Sequence, residues 1–220
     1  MKIFGLAALC FVAPVAAQSG PERWEKSIAA FERKIKDGAT KPGSVLFIGS
    51  SSIRMWKLQD SFPGKDYVNH GFGGSMISDS IHFFDRAVKP VQPSVILFYA
   101  GDNDVARGKS AEVVHADFRK FVGLMKKAFG KKTRLGFIAI KPSLSRWNLA
   151  DEMQKANNLI KSDCHKDELL SFVDVWTPMI GEDKKPKADL FLKDGLHMNL
   201  EGYRIWNEAV TPVLKAAQAK

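Results

Sequence analysis

Cysteine is almost missing from this chain: two occur in 220 residues, at positions 10 and 164. Cys10 falls inside an apolar opening stretch, so the remainder keeps a single thiol. That excludes an intramolecular disulfide framework and a cysteine-based metal site, and leaves the core to hold the fold together. Cys164 sits in a polar helical stretch and reads as inert. Long apolar runs are missing too. The run at residues 3–13 is shorter than the roughly 20 residues a spanning helix needs, and no later stretch approaches that length, so no transmembrane segment is expected. Nor is there a nucleotide signature: Gly71, Gly73 and Gly74 complete neither Gly-x-Gly-x-x-Gly nor Gly-Lys-Ser/Thr. No group of His, Asp and Glu has ligand spacing, so no metal and no other cofactor is implied.

What is present is the composition of an ordinary globular protein, 45% hydrophobic and 26% charged, which excludes disordered, collagenous and low-complexity classes. Residues 1–17 combine Lys2, the apolar run and small residues at Val15-Ala16-Ala17, the layout of a secretory signal peptide. A secreted or periplasmic protein is therefore expected, with residues 18–220 forming one domain. The net charge is +9. Lysines at 126, 127, 131, 132, 184, 185 and 187 read first as a solvated surface, and second as a source of weak attraction to anionic envelope polymers. No nucleic-acid partner is expected.

From residue 44 onward, short apolar runs alternate with longer amphipathic stretches. Residues 45–49, 95–99, 134–140 and 170–175 predict strands, with a weaker one at 67–69; continuous apolar runs of this length suit strands buried on both faces of a parallel sheet. Helices are predicted over 21–36, 75–88, 110–129, 149–165 and 200–218, and a long loop over 177–192. In the third of these helices Ser110 is a plausible cap, and Val113, Val114, Phe118, Phe121, Val122 and Met125 recur at helical spacing. Strand–helix alternation gives βαβ units and a three-layer α/β/α sandwich around a mainly five-stranded parallel sheet, flavodoxin-like in type.

Open parallel sheets bind ligands beyond the carboxyl ends of their strands, so the polar residues just after each strand carry the functional question. Four such segments stand out: Gly49 to Trp56, Asn69 to Ser75, Gly101 to Asp104, and Asp194 to Asn199 before the last helix. Together they bring serine, glycine amides, an amide side chain, aspartate and histidine to one rim, an inventory for nucleophilic acyl transfer. A serine hydroxyl needs a base such as neutral His197. Asp194, three residues earlier, can fix the tautomer of that imidazole. The serine amide at a helix start, the Gly74 N–H and the Asn103 side chain are candidate oxyanion donors.

These segments resemble the blocks of the SGNH hydrolase superfamily, the GDSL-type esterases and lipases, in the family's order from Val45 to Tyr203. The resemblance places the nucleophile at Ser51 rather than Ser50 or Ser52, the oxyanion donors at the Ser51 amide, Gly74 and Asn103, and the base and acid at His197 and Asp194. One position departs: the aspartate of the Gly-Asp-Ser motif is Ser50 here. That aspartate is not the triad acid, so catalysis should survive. The α/β-hydrolase elbow is excluded, because Gly-x-Ser-x-Gly would require glycine where Ile53 stands.

The expectation is a cofactor-free serine ester hydrolase acting on short acyl groups, acetyl above all, with an acetylated carbohydrate as first substrate. A lysophospholipase or platelet-activating-factor acetylhydrolase-like lipid esterase, an acyltransferase, and a non-catalytic glycan-binding protein on the same scaffold stay open. His70, Arg146 and Trp147 are candidate substrate-pocket residues: Arg146 to meet an anionic group, Trp147 to stack on a sugar ring or cover an acyl chain. Trp56 reads as core.

Overall fold

The computed structural model describes residues 20 to 218; the leader reading over residues 1–17, with Cys10, lies outside them. Five parallel strands, β1 (Val45–Gly49), β2 (Val68–Gly71), β3 (Val95–Tyr99), β4 (Arg134–Ile138) and β5 (Leu170–Val173), form one sheet in the order β2-β1-β3-β4-β5. This is the flavodoxin-like doubly wound order. The chain steps from β1 to one side, then returns past it to the other, which opens a crevice at the carboxyl ends of β1 and β3.

Successive side chains in a strand point to opposite faces, and both faces of this sheet are dry. Leu46, Ile48, Ile96, Phe98, Leu135 and Phe137 enter one core with α1 (Glu25–Lys36), α4 (Ile77–His82), α5 (Phe84–Ala87), α6 (Asp102–Ala106), α7 (Ala111–Phe129) and α8 (Ala150–His165). Phe47, Val95, Leu97, Tyr99 and Val173 enter the other with α2 (Ser51–Met55), α3 (Leu58–Ser61), α9 (Trp176–Met179) and α10 (Leu200–Gln218). The three-layer α/β/α sandwich is thus present, and Trp56 belongs to its second core, edge-on to Phe47 and Trp206. Cys164 is buried, and desolvation pushes its thiol up to about 12.

Side chains set several element ends. Ser110 caps α7 by accepting from the Val113 N–H. β4 stops at Ile138, two residues short of the predicted strand, because the Asn157 side chain takes over both polar groups of Ile140, at 2.8 and 2.9 Å. The predicted helix over 75–88 is two helices parted at Phe83. The predicted loop after β5 is not structureless. The Asp174 carboxylate accepts from the Trp176 and Thr177 N–H groups at 2.9 and 3.0 Å, nucleating α9, and a short 3-10 turn follows at Ala188–Leu190.

Candidate active site

The site is built where β1 gives way to α2. Gly49 has φ of 137°, and a Cβ there would stand 1.8 Å from the Tyr99 carbonyl oxygen, so only glycine lets the chain turn this close to β3. Ser50 N–H donates to that same Tyr99 carbonyl at 3.0 Å, and the Ser50 carbonyl accepts from Ile53 and Arg54 to start α2. Gly71 is needed for a related reason. A Cβ there would meet the Arg54 backbone nitrogen at 2.1 Å, so its absence lets α2 lie against the end of β2. Ser51 is the first residue of α2, where N–H groups have no intrahelical partner. Of the three consecutive serines, Ser50 and Ser52 are buried, while Ser51 is half-buried and its Oγ lies 2.9 Å from His197 Nε2.

His197 arrives on the turn before α10. Asp194 Oδ1 accepts from the Leu196 and His197 N–H groups, each at 2.9 Å, and Oδ2 lies 2.6 Å from His197 Nδ1. A carboxylate only accepts, so Nδ1 carries the proton and Nε2 is free to accept from the Ser51 hydroxyl. The hydrogen bond from His197, helped by the two amides, holds the Asp194 carboxyl at about 2. It is therefore ionised wherever the imidazole needs it.

Two more donors face the same cleft. Gly74 has φ of 78°, and among the described residues nothing accepts from its N–H. Asn103 follows Gly101, whose φ of 113° turns the chain out of β3. The Arg146 guanidinium donates to Asn103 Oδ1 from both terminal nitrogens, at 3.2 Å each. Arginine cannot accept, so this contact fixes the amide's orientation and turns its Nδ2 the other way. Nδ2 spends one N–H on the Ser75 carbonyl at 3.0 Å and keeps one free. Behind Asn103, buried Asp102 pairs with Arg146 and, at 3.5 Å, with Lys141, whose fully buried ammonium is pushed down by desolvation. Asp104 ties α6 to α4 and α7 instead, accepting from the Ile77 N–H and from Lys109.

Ser51, His197, Gly74, Asn103 and Arg146 all line one open cleft of about 580 Å³. Two predicted pocket residues do not reach it. His70 is fully buried, stacked on Phe31 with ring centroids 4.2 Å apart, its Nδ1 on the Ala87 carbonyl at 2.7 Å. The reason is register: β2 runs on to Gly71, so His70 shares the inward face of Val68. Trp147 stacks on Trp176, centroids 6.0 Å apart, and is not part of the cleft lining. Arg146 does line it, with its guanidinium engaged by Asp102 and Asn103. Four lining residues escaped the sequence reading: Arg23, Trp24, Ser27 and Arg54. Arg54 had a signal, since three residues after Ser51 in a helix is the same face. Arg23 and Trp24 had none, because the Trp24 indole N–H reaches the Gly73 carbonyl, 2.9 Å away, across 49 residues of sequence. Among the described residues no His, Cys, Asp and Glu group could hold a metal ion.

A flavodoxin-like sheet with serine, imidazole and carboxylate in line at its carboxyl edge defines a class, the α/β/α enzymes that cleave carboxylic esters. The family model of the GDSL-like lipase/acylhydrolases matches residues 49–205, and the chain belongs to that family. The chain is 28% identical over 214 residues to GDSL esterase/lipase WDL1 of Oryza sativa subsp. japonica, covering 82% of this chain and 81% of that protein. In fold it is similar to a Streptococcus pneumonia protein assigned provisionally as a platelet activating factor, with TM-score 0.78, 19% identity, and 88% and 93% of the two chains covered. It is also similar to a variant of Axe2, an acetyl-xylooligosaccharide esterase from Geobacillus stearmophilus, with TM-score 0.64, 17% identity, and 79% and 94% covered.

Proposed function

We propose that this carboxylic-ester hydrolase removes short acyl groups, acetyl above all, from carbohydrate, using Ser51, His197 and Asp194. The observation that carries the reading is the unbroken line from Asp194 Oδ2 through the imidazole to Ser51 Oγ, with contacts of 2.6 and 2.9 Å. His197 Nε2 takes the hydroxyl proton as Ser51 Oγ attacks the ester carbonyl. The carbonyl oxygen gains the negative charge and meets the Ser51 and Gly74 amides and the free N–H of Asn103, donors already in place. Imidazolium then gives its proton to the leaving alcohol, and the acyl group stays on Ser51. Water, deprotonated by the same nitrogen, releases the acid.

The open cleft supports a small acyl group on a bulky alcohol, since no segment among the described residues covers it. The acetyl-xylooligosaccharide esterase among the fold neighbours is consistent with that choice. Hydrolysis of p-nitrophenyl acetate tests the chemistry: Ser51→Ala should lower kcat by about a thousandfold or more in a folded protein. Equal rates in the two proteins would refute the assignment of Ser51.

A lipid ester is the second reading. Leu192 and Leu200 are exposed beside Met55 and Met198 in an apolar recess of about 240 Å³, on the far side of the turn that carries His197. Comparing an acetylated xylooligosaccharide with a lysophospholipid separates the two. Faster release of acetate from the sugar is expected, and faster release of a long acyl chain would reverse the choice.

A further inference from the structure

Three arginines line the catalytic cleft, Arg23, Arg54 and Arg146, and no carboxylate lines it with them. Arg146 is engaged by Asp102 and Asn103. The other two are in a different condition. Neither Arg23 nor Arg54 has an ion-pair or side-chain hydrogen-bond partner among the described residues, and Arg23 Nε is buried with nothing to donate to. Asp79 is the acid whose charge is felt at Arg23, and its carboxyl is bonded to the Met76 N–H at 2.7 Å instead.

Arg23 is packed by a contact that leaves its charge intact, and Arg54 is exposed. The Arg23 guanidinium carbon stands 3.8 Å above the Trp24 ring, and Trp24 is itself anchored on the Gly73 carbonyl. Arg54 lies against the same Gly73: a Cβ there would come within 2.9 Å of Arg54 Nε, so the missing side chain leaves room for the guanidinium. Arg54 thus lies against Gly73 and Arg23 over the tryptophan bonded to Gly73, and both line the same cleft as the Gly74 amide. An arginine presents a planar fork that matches the paired oxygens of a carboxylate or phosphate. Two unpaired forks beside a reaction centre favour a ligand that brings the opposite charge.

We propose that the ester taken by this cleft carries an anionic oxygen group, carboxylate or phosphate, received by Arg54 and Arg23 while the acyl carbonyl lies at Ser51. The inference rests on the reading of Ser51 as nucleophile, and within the carbohydrate reading it makes the substrate an O-acetylated acidic sugar. No bond forms or breaks at the arginines; they bind and orient.

The test uses three matched esters: acetylated methyl glucoside, acetylated methyl glucuronoside and acetylated glucoside phosphate. The wild-type protein should turn over an anionic ester with kcat/KM about tenfold above the neutral one, with the gap narrowing as salt is added. Whichever of the two anionic esters gains more identifies the group. Arg54→Gln and Arg23→Gln should each shrink the anionic-to-neutral ratio severalfold, through KM, and Arg54→Lys should restore part of it. A ratio near one in the wild type overturns the proposal, as does a ratio that persists in both Gln variants. Variants that lower all three esters alike would make the arginines part of the general machinery and would overturn it too. Calorimetric titration of Ser51→Ala with the same esters reads the anion site without turnover. Equal binding of charged and neutral esters there refutes the anion site alone. Failure of the wild type on p-nitrophenyl acetate refutes the catalytic reading alone.

Discussion

His70 enters the fold as a neutral ring. Desolvation drives its pKa from the ordinary 6.5 to about 4, with the Ala87 carbonyl as the acceptor that opposes part of the shift. The unfolded chain thus binds the proton more readily than the folded one, so the stability His70 contributes is complete above pH 6.5 and drains away as pH falls toward 4. Between pH 7 and pH 5 the loss should be about 2 kcal/mol, visible as a lower urea midpoint, and His70→Gln should flatten that part of the profile. An unchanged slope in the variant would show that another group drives it. The same residue shows where sequence reading runs out. A histidine two positions past a short apolar run looks like rim; one further residue of strand turns it inward. The meeting of Ser51, His197 and Asp194 was legible because the proposed chemistry needs those types at strand and helix ends. Arg23 was not, because its place depends on a contact made far along the chain.

The β1–α2 junction is the element on which the geometry depends. Gly49 turns the chain under the Tyr99 carbonyl, and Gly71 lets α2 close down on β2. Gly49→Ala should therefore cost about 3 kcal/mol or more and should lower esterase activity beyond the loss of folded protein, because Ser51 moves with the junction. Thermal melts beside p-nitrophenyl acetate rates check both, and a variant with native rates would show that the turn tolerates a side chain. The strands with unbroken apolar runs, β1 and β3, have the bounds their sequences predict. The carboxyl end of β4 and the start of α9 do not, since Asn157 and Asp174 set them through side-chain hydrogen bonds that leave no mark in hydrophobic periodicity. Ser50, standing where the family motif has aspartate, has its side chain buried and its backbone bridging β3 to α2, so the substitution keeps the part of that residue the junction uses.

Across the whole molecule, sequence order and sheet order together assemble the cleft. The loops after β1, β2 and β3 and the turn before α10 meet at one edge because β1 and β3 are neighbours while β2 lies outside them. Alternation of strands and helices made the class of fold legible; the contribution of Pro21–Trp24 to the cleft wall was not, because nothing local distinguishes a helix lead-in from a lining segment. The export expected from the leader reading belongs to this scale as well. We expect the protein recovered outside the cytoplasm to begin at Gln18, which N-terminal sequencing reads directly; a protein retaining Met1 would overturn the leader assignment. Among the described residues no helix is long and apolar enough to cross a membrane.

The turn before α10 has one more consequence. Asp194 uses one oxygen to shape the backbone around His197 and the other to hold its ring, so the two residues form a single cartridge that meets Ser51 through the imidazole and the 143–146 loop through the Gly195 carbonyl. Drift of that cartridge would leave the Asp194–His197 pair intact while opening the gap between His197 and Ser51. On the proposed mechanism, a change that loosens this turn should lower the rate while leaving every group of the proposed chemistry in place.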